Sequence, residues 1–373
     1  MGPAGVPHGG RAVTPFQRLL IALGLAVIVG ALFNALREVL VPFLIGAAAA
    51  YLLDPVVVWL QRFGWSRALS TTVICVGFAG VVAGVIFVIA PLVYEQIVAL
   101  IGALPELMSR AMAIVQSSLH KFTARLSPEQ YEKIQETVGS HAGEALAWLA
   151  GLFGGLWSGG LAVINIISLV FITPLVTFYL MRDWPKVVAS IDRCLPRDHA
   201  GTIRAVLADI DRALAGFIRG QAFVCLFLGV AYTIALTIAG LQFALLLGIL
   251  IGMLAVIPIV GTAIGAVSCI SLAIIQFGTW EGVLTIAAIF AAIQAFEGNI
   301  LQPKLVGDRV GLHPLWIVFA LMAGGALMGF IGVLVAVPAA AAIGVLARFG
   351  VSRYLAGSFY RGDRPAGPQG GET

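Results

Sequence analysis

Charged side chains are scarce in this chain. Asp, Glu, Lys and Arg account for 11% of its 373 residues, whereas hydrophobic residues account for 60% and the mean hydropathy is +1.02. A water-soluble domain of this length has too little interior to bury so much apolar side chain, so the composition excludes one and indicates an integral membrane protein. Several runs stay uncharged over the roughly 20 residues that a helix needs to cross a bilayer. Because each backbone amide must be bonded within its own segment in lipid, these runs are predicted to be helices.

Motifs for nucleotide, metal or hydrolytic chemistry are also lacking. The chain contains no G-x-x-x-x-G-K-[ST] loop, no H-E-x-x-H pair and no G-x-S-x-G elbow. We therefore expect no enzyme activity, no catalytic residue, no cofactor and no ATP-driven pumping by this chain alone. The four cysteines form no C-x-x-C pair, so neither a disulfide framework nor a metal site is expected. The net charge of +4 comes from basic residues in the loops between apolar runs, which favours membrane orientation over nucleic-acid binding.

The uncharged runs predict an all-α, polytopic membrane protein with about eight transmembrane helices. Arg11 and Arg18 precede the first run and several arginines follow the last, beginning at Arg348, so the positive-inside rule places both termini in the cytoplasm of a cell (inner) membrane. The number of spans must then be even. We expect spans at 19–36, 40–60, 68–94 and 156–181, two within 220–280, and two more at 282–301 and 313–347. This assignment leaves Lys304 and Arg309 at the outer face or in a protein-lined cavity.

Two polar insertions interrupt the spans. Apolar residues at helical spacing, followed by a capping-box start at Ser127, predict a helical hairpin outside the membrane between spans three and four. The basic segment at 182–219 is predicted to be an amphipathic helix on the anionic cytoplasmic leaflet or a packed cytosolic linker helix. The predicted organisation is a tail at 1–15, three spans in 16–94, the extracytoplasmic insertion at 95–155, the fourth span at 156–181, the basic segment at 182–219, four spans in 220–347 and a tail at 348–373.

The stretch "FEGNILQPKLVGDRVGLHPLW", which begins at residue 296, places several polar side chains between two apolar runs. Glu297 follows Gln294 by three positions, so the two share a helical face. Gly298 and Asn299 then begin an irregular stretch, and Pro303 lacks a backbone donor. A broken helix with a carboxylate and the carboxamides of Gln294, Asn299 and Gln302 could bind a polar solute or a cation. The alternative is that Glu297 pairs with Lys304 or Arg309 and anchors a loop.

Four other residues are candidates for the transport pathway. Pro258 and Gly261, in "IPIVG", predict a kink or an unwound turn. Asp54 precedes Pro55 and is interpreted first as a helix cap, with a role in the pathway as the alternative. His313 precedes Pro314 and is interpreted first as the start of a helix, with proton handling as the alternative.

The combination of four stretches resembles the autoinducer-2 exporter family, also described as PerM-like permeases. These are the polar stretch with the apolar run that follows it, "FYLMRDWP" from Phe178, "IPIVGTAIGA" from Ile257 and "PFLIGAAAAYLLDPVV" from Pro42. The resemblance spans nearly all of 16–349 and implies an eight-span inner-membrane protein that forms homo-oligomers, with pentamers among the expected forms. It also implies export of autoinducer-2 or, in some relatives, sodium/proton antiport. The pattern E-G-N-x-x-x-P carries over Glu297, Asn299, Gln302 and Pro303, and I-P-x-x-G carries over Pro258 and Gly261.

The sequence therefore predicts a secondary transporter whose C-terminal spans form a path for a small polar solute. Glu297 is the predicted site of proton or cation coupling, and Asn299 and Gln302 are the predicted hydrogen-bonding contacts. A sodium/proton antiporter and a membrane scaffold that does not transport are the alternatives. The expected partners are a small polar solute or a monovalent cation or proton, the lipid bilayer and further copies of the chain, with no nucleic acid.

Overall fold

The computed structural model describes residues 37–123, 168–307, 313–357 and 360. Within these residues every regular element is helical. Short π-helical turns at Ser168–Ile172, Glu297–Leu301 and Pro303–Gly307 and one 3₁₀ turn at Arg197–His199 accompany the α-helices. The α-helices are α1 (Arg37–Gln61), α2 (Arg67–Thr123), α3 (Thr173–Arg193), α4 (Ala200–Ile238), α5 (Ala244–Leu254), α6 (Val260–Phe277), α7 (Trp280–Phe296) and α8 (Pro314–Ala356).

Helix α2 is far longer than a membrane span. Its 57 residues continue through Pro91 and Pro105, and at 1.5 Å per residue they extend about 85 Å. The sequence predicts a span at 68–94 followed by an amphipathic helix, and the structure joins the two into one continuous helix. Since a bilayer core is only about 30 Å thick, much of α2 must project beyond it.

Helices α5 and α6 form a hairpin that packs against α4. A Cβ atom at Gly252 would lie 2.7 Å from the Cα of Gly229, so the backbones of α5 and α4 approach as closely as glycine permits. Helix α4 runs unbroken past position 219, where the sequence prediction placed a boundary between the basic segment and the fifth span. The core of this C-terminal bundle is apolar and is built by α4–α7: Val224, Leu228, Tyr232, Leu236, Ile251, Cys269, Ala273, Ile286 and Phe290.

The basic segment is divided between two helices. Arg204 of α4 donates to both carboxylate oxygens of Asp192 in α3, at 2.5 and 2.9 Å, which ties the two helices together across the turn between them. Ala213 and Phe217 of α4 are buried against α8. This packing favours the linker-helix alternative for residues 200–219.

Helix α8 reverses its direction at Gly329. This residue has φ 60° and ψ −140°, a backbone conformation that is open essentially only to glycine. A Cβ atom at Gly332 would lie 1.9 Å from the carbonyl oxygen of Gly324, whereas eight residues of straight helix would separate the two by about 12 Å. Residues 314–328 and 330–356 are therefore two packed antiparallel arms. The sequence predicts one span at 313–347, and the structure bends this segment back on itself at Gly329.

The predicted fold class is confirmed as all-α and polytopic. Six of the described helical segments are long and apolar enough to cross a membrane: Leu40–Gln61, Arg67–Ile114, Arg197–Ile238, Val260–Phe277, Trp280–Leu305 and Leu315–Ala356. The count of eight stays a prediction, because the span at 19–36 and the first part of the span at 156–181 lie outside the described residues. The capping box at Ser127, Arg309 and the tail at 1–15 lie outside them as well, whereas the predicted tail at 348–373 begins within α8, which continues to Ala356.

Candidate functional site

A buried carboxylate stands where α7 changes to π-helical geometry. Glu297 is only 6% exposed, and its backbone carbonyl accepts from the amide of Gln302, five residues on, which widens the helix by one residue. The side-chain Nε2 of Gln302 donates to Glu297 Oε1 at 3.1 Å. The other oxygen, Oε2, is buried and has no hydrogen-bond partner among the described residues. Burial of an unpartnered carboxylate oxygen is costly, and such groups in spans usually serve a function.

Gln294 connects this position to two other helices. The hydroxyl of Tyr232 in α4 donates to Gln294 Oε1 at 3.2 Å, and Gln294 Nε2 donates to Thr262 Oγ1 in α6 at 3.3 Å. Tyr232 is fully buried, and its ring lies 5.0 Å from the ring of Phe290. We call Glu297, Gln302, Gln294, Tyr232 and Thr262 the polar centre. It contains one carboxylate and two carboxamides, and no lysine, arginine or histidine.

Sequence reasoning missed Tyr232 and Thr262. Each had a signal that could have been used, because Tyr232 is the one tyrosine in the uncharged run at 220–280 and Thr262 follows the glycine of the I-P-x-x-G pattern directly. A hydroxyl in such a run needs a partner when it is buried.

Two predicted residues stand apart from the polar centre. Asn299 is exposed, and its Nδ2 donates to the carbonyl of Ala295 on its own helix at 2.8 Å, so it makes no contact with the Glu297 carboxylate in this structure. Pro303 is exposed and begins the second π-helical turn. Lys304 is exposed and forms no ion pair with Glu297, so the loop-anchoring alternative finds no support from it.

Pro258 and Gly261 form the tip of the α5–α6 hairpin. The predicted kink is a full reversal of the chain, in which Ile259 has a positive φ of 73°, a strained value for a β-branched residue. A Cβ atom at Gly261 would lie 2.5 Å from the backbone of Leu254, so only glycine fits beneath the tip. Gln221 of α4 donates to the carbonyl of Ala255 at 2.5 Å and holds the tip against α4. Thr262 therefore reaches Gln294 from a strained and tightly packed turn.

Comparison of the sequence with known proteins identifies its family. The profile described as "AI-2E family transporter" matches residues 20–351. The chain belongs to the AI-2E transporter family. It is 31% identical to YrrI of Bacillus subtilis strain 168 over 311 residues, which cover 83% of this chain and 86% of YrrI. It is 28% identical to PerM of Escherichia coli strain K12 over 330 residues, which cover 86% of this chain and 91% of PerM.

A third relative extends the similarity to another bacterial group. MT0215 of Mycobacterium tuberculosis is 26% identical over 329 residues, which cover 87% of this chain and 86% of MT0215. The names of YrrI and MT0215 describe transport proteins, and that of PerM describes a permease. This AI-2E protein is thus a multi-pass membrane protein of a transporter family.

Two of the stretches that resemble AI-2E proteins meet at Arg67. Its Nη2 bonds Asp54 Oδ1 at 3.1 Å, and its Nε donates to the carbonyl of Met181 at 2.8 Å. Asp54 lies inside α1, which continues past Pro55 to Gln61. The interpretation of Asp54 as a helix cap is therefore wrong, and its carboxylate instead helps to hold α1, α2 and α3 together.

Further polar contacts join α1 to α4. The hydroxyl of Tyr51 donates to Asp211 Oδ1 at 3.0 Å, and Arg219 Nε donates to the carbonyl of Tyr51 at 2.9 Å. We call Tyr51, Asp54, Arg67, Asp211 and Arg219 the charged cluster. None of its hydrogen bonds involves Glu297, so the AI-2E protein has two separate polar regions.

His313 caps α8. Its Nδ1 accepts a hydrogen bond from the amide of Leu315 at 3.3 Å. His313 itself lies immediately before Pro314, the first residue of the helix. The interpretation of His313 as the start of a helix is confirmed. The described residues contain no group of three or more His, Cys, Asp or Glu side chains that could hold a metal ion.

Proposed function

We propose that this protein is a secondary active transporter that exports a small polar solute such as autoinducer-2, coupled to a proton or cation gradient. The observation that supports this most is Glu297, a carboxylate that is 6% exposed and has one oxygen without a partner. A buried acid can exchange a proton or a monovalent cation as its surroundings alternate between two states. Gln302 holds the other oxygen, which leaves Oε2 as the acceptor for that exchange.

The carboxamides of the polar centre suit a neutral, hydroxyl-rich solute. Both polar atoms of the Gln294 side chain are bonded to protein groups, and Gln302 bonds Glu297. A solute that replaced these hydrogen bonds would find both donors, the carboxamide NH2 groups, and acceptors, the carboxamide oxygens.

We also propose that the polar stretch faces the cytoplasm. His313 and Arg348 line the same end of the groove between the two arms of α8, because the chain reverses at Gly329. If the basic C-terminal tail is cytoplasmic, then His313 lies on that side too, and we assign Lys304, nine residues earlier in the sequence, to the same side, as the positive-inside rule favours. This proposal replaces the outer-face placement and requires an even number of crossings before the polar stretch in place of the seven predicted, which follows if the hairpin of the short helix α5 with α6 does not cross the membrane. It predicts that Lys304→Cys, in a variant without the four native cysteines, reacts with a membrane-impermeant maleimide in inside-out vesicles only, as an Arg353→Cys control does.

Sodium/proton antiport is the second candidate. The unpartnered Oε2 favours it, because a carboxylate without a fixed cation can accept Na⁺ or H⁺ in turn. Under this alternative Glu297 is indispensable, whereas a solute carrier without cation coupling would tolerate Glu297→Gln. A scaffold function predicts no transport by the wild type, so the vesicle assay described next tests it as well.

The proposal is tested by accumulation of autoinducer-2 in inside-out vesicles, with and without a proton gradient. We expect gradient-dependent accumulation by the wild type and its loss in Glu297→Gln. The matched control is Glu281→Gln, which changes an exposed glutamate in the first turn of the same helix. Failure of well-expressed wild type to accumulate autoinducer-2 would refute this substrate, and sodium pulses with a luminal pH dye would then test antiport.

We further propose that the protein forms homo-oligomers in the inner membrane, with a pentamer as the form to test first. Helix α2 supports this, because its apolar side chains stay exposed along the span: Val76, Val81, Val85, Ile86, Phe87 and Val88. These side chains need lipid or a neighbouring subunit as cover. Native mass spectrometry from nanodiscs would give the subunit number.

A further inference from the structure

A cavity of 190 Å³ lies between α1, α3 and α4, and its polar lining is formed by Tyr51, Asp54, Asp211 and Arg219 of the charged cluster. Asp211 and Arg219 also line the neighbouring cavity of 860 Å³ between α4 and α8. Glu297 lines neither.

The cavity offers an uncommitted acceptor and an uncommitted donor of opposite charge. Arg219 uses only its Nε, for the Tyr51 carbonyl, and within the described part of the chain its two terminal nitrogens donate to no protein atom. Asp211 uses Oδ1 to accept from the Tyr51 hydroxyl. Asp54, on the same wall, is already paired with Arg67. Tyr51 therefore stands between a carboxylate and a guanidinium that each retain bonding capacity.

The rest of the lining is apolar. Trp184 supplies an indole, and the other apolar residues that line the cavity are small or unbranched at Cβ: Ala47, Ala50, Leu180, Met181 and Ala215. A ligand that fills this space needs a compact hydrocarbon part beside its charged groups.

We infer that the cavity binds a small zwitterion that carries a primary ammonium and a carboxylate or phosphate. A guanidinium fork matches the geometry of a carboxylate or phosphate, and Asp211 attracts an ammonium. The formal charges of Asp54, Arg67, Asp211 and Arg219 cancel. A simple cation is therefore repelled by Arg219 and a simple anion by Asp211, whereas a ligand with both charges satisfies both. This inference does not depend on the proposed role of Glu297.

Two sources could supply this chemistry, a free amino acid and the headgroup of an ethanolamine phospholipid. The test is isothermal titration of the purified full-length protein in detergent. The two zwitterionic probes are leucine and glycerophosphoethanolamine. Two further probes are leucine without one charged group: 3-methylbutylamine lacks the carboxylate, and 4-methylpentanoate lacks the ammonium. Ribose is the uncharged probe. The variants are Asp211→Asn, Arg219→Gln and the milder Arg219→Lys, which keeps the charge and loses the fork. Asp209→Asn is the matched control, because Asp209 lines only the larger cavity and pairs with Arg212.

We expect leucine or glycerophosphoethanolamine to bind, and which of the two binds more tightly identifies the source. Loss of one charge-assisted contact should weaken binding about tenfold or more in Asp211→Asn and in both Arg219 variants, and leave binding by Asp209→Asn unchanged. The inference is overturned if the amine or the acid alone binds as tightly as the zwitterion, if ribose is the probe that binds, or if no probe binds to well-folded wild type. The inference is also overturned if the two single variants Arg219→Lys and Asp211→Asn both bind as tightly as the wild type.

Discussion

The two polar regions of this AI-2E protein differ in how fully their carboxylates are paired. In the charged cluster, Asp54 meets Arg67 at 3.1 Å, and Arg67 also bonds a backbone carbonyl. In the polar centre, Glu297 accepts a hydrogen bond from the amide of Gln302, and its other oxygen has no hydrogen-bond partner among the described residues. The side chains of Arg67 and Asp54 are 23% and 38% exposed, whereas Glu297 as a residue is 6% exposed. The more deeply buried charge is thus the one with fewer partners.

This difference separates groups that hold helices together from a group that is kept ready to bind. A paired and hydrogen-bonded charge has recovered much of its lost hydration and is destabilising to remove. An unpartnered one has not, so its presence lowers stability and requires another explanation. The comparison predicts that substitutions of Asp54 and Arg67 act mainly on stability and that substitutions at Glu297 act mainly on transport.

The largest loss of stability is expected from Arg67→Met. It leaves the Asp54 carboxylate without its cation and the Met181 carbonyl without its donor. Because Asp54 is partly exposed, we expect a loss of about 2 kcal/mol in the free energy of unfolding, less than for a fully buried pair. Unfolding in detergent by heat or SDS measures it.

A double-mutant cycle sharpens this result. Asp54→Asn should destabilise less than Arg67→Met, and the double variant should be more stable than the sum of the two losses implies. Additive losses would mean that the two side chains do not interact, and the contrast between the two regions would then fail.

Glu297→Gln should have the opposite effect on stability. A neutral amide is cheaper to bury than a carboxylate, so the free energy of unfolding should rise by about 1 kcal/mol while coupled transport is lost. Thermal unfolding and vesicle transport are measured on the same preparation, with Glu281→Gln beside it. A variant that unfolds more readily and still transports would show that Glu297 is a structural residue.

Tyr232→Phe tests whether the amides of the polar centre are held in place. Loss of the hydroxyl leaves Gln294 Oε1 without its donor, which should cost about 1 kcal/mol of unfolding free energy. Tyr179→Phe is the control, since Tyr179 is 52% exposed. Equal effects of the two substitutions would contradict the hydrogen bond to Gln294.

The sequence was sufficient for features that depend on local patterns. Uncharged runs predicted helices because lipid offers the backbone no other hydrogen-bond partner. The i, i+3 spacing of Gln294 and Glu297 predicted that these two side chains lie on the same helical face. The irregular stretch after Glu297 was also predictable, since glycine and proline disturb helical bonding there. These inferences need no knowledge of which helices are neighbours.

Features that depend on packing were not predictable in this way. The reversal at Gly329 lies in an uncharged apolar run with no proline at the turn, since Pro338 follows nine residues later, and the reversal becomes evident only from the close approach of Gly324 and Gly332. The cap predicted at Asp54 failed because α1 accommodates Pro55 and Arg67 approaches from the next helix. Tyr232 and Thr262 joined the site for the same reason, because their partner lies on a different helix.

The smallest effect is expected from Asp192, whose pKa lies below its ordinary value because Arg204 donates hydrogen bonds to its carboxylate. A lowered pKa in the folded state means that the stabilisation is present above the unfolded pKa of about 3.9 and is lost as the pH falls through the folded value. Asp192→Asn should therefore lower the unfolding temperature slightly at neutral pH, and this difference from the wild type should vanish on acidification and shrink in high salt. A difference that stayed constant with pH would assign the effect to packing. Because this pair is exposed whereas Arg67 and Asp54 are partly buried, salt should separate the two ion pairs, weakening the first much more than the second.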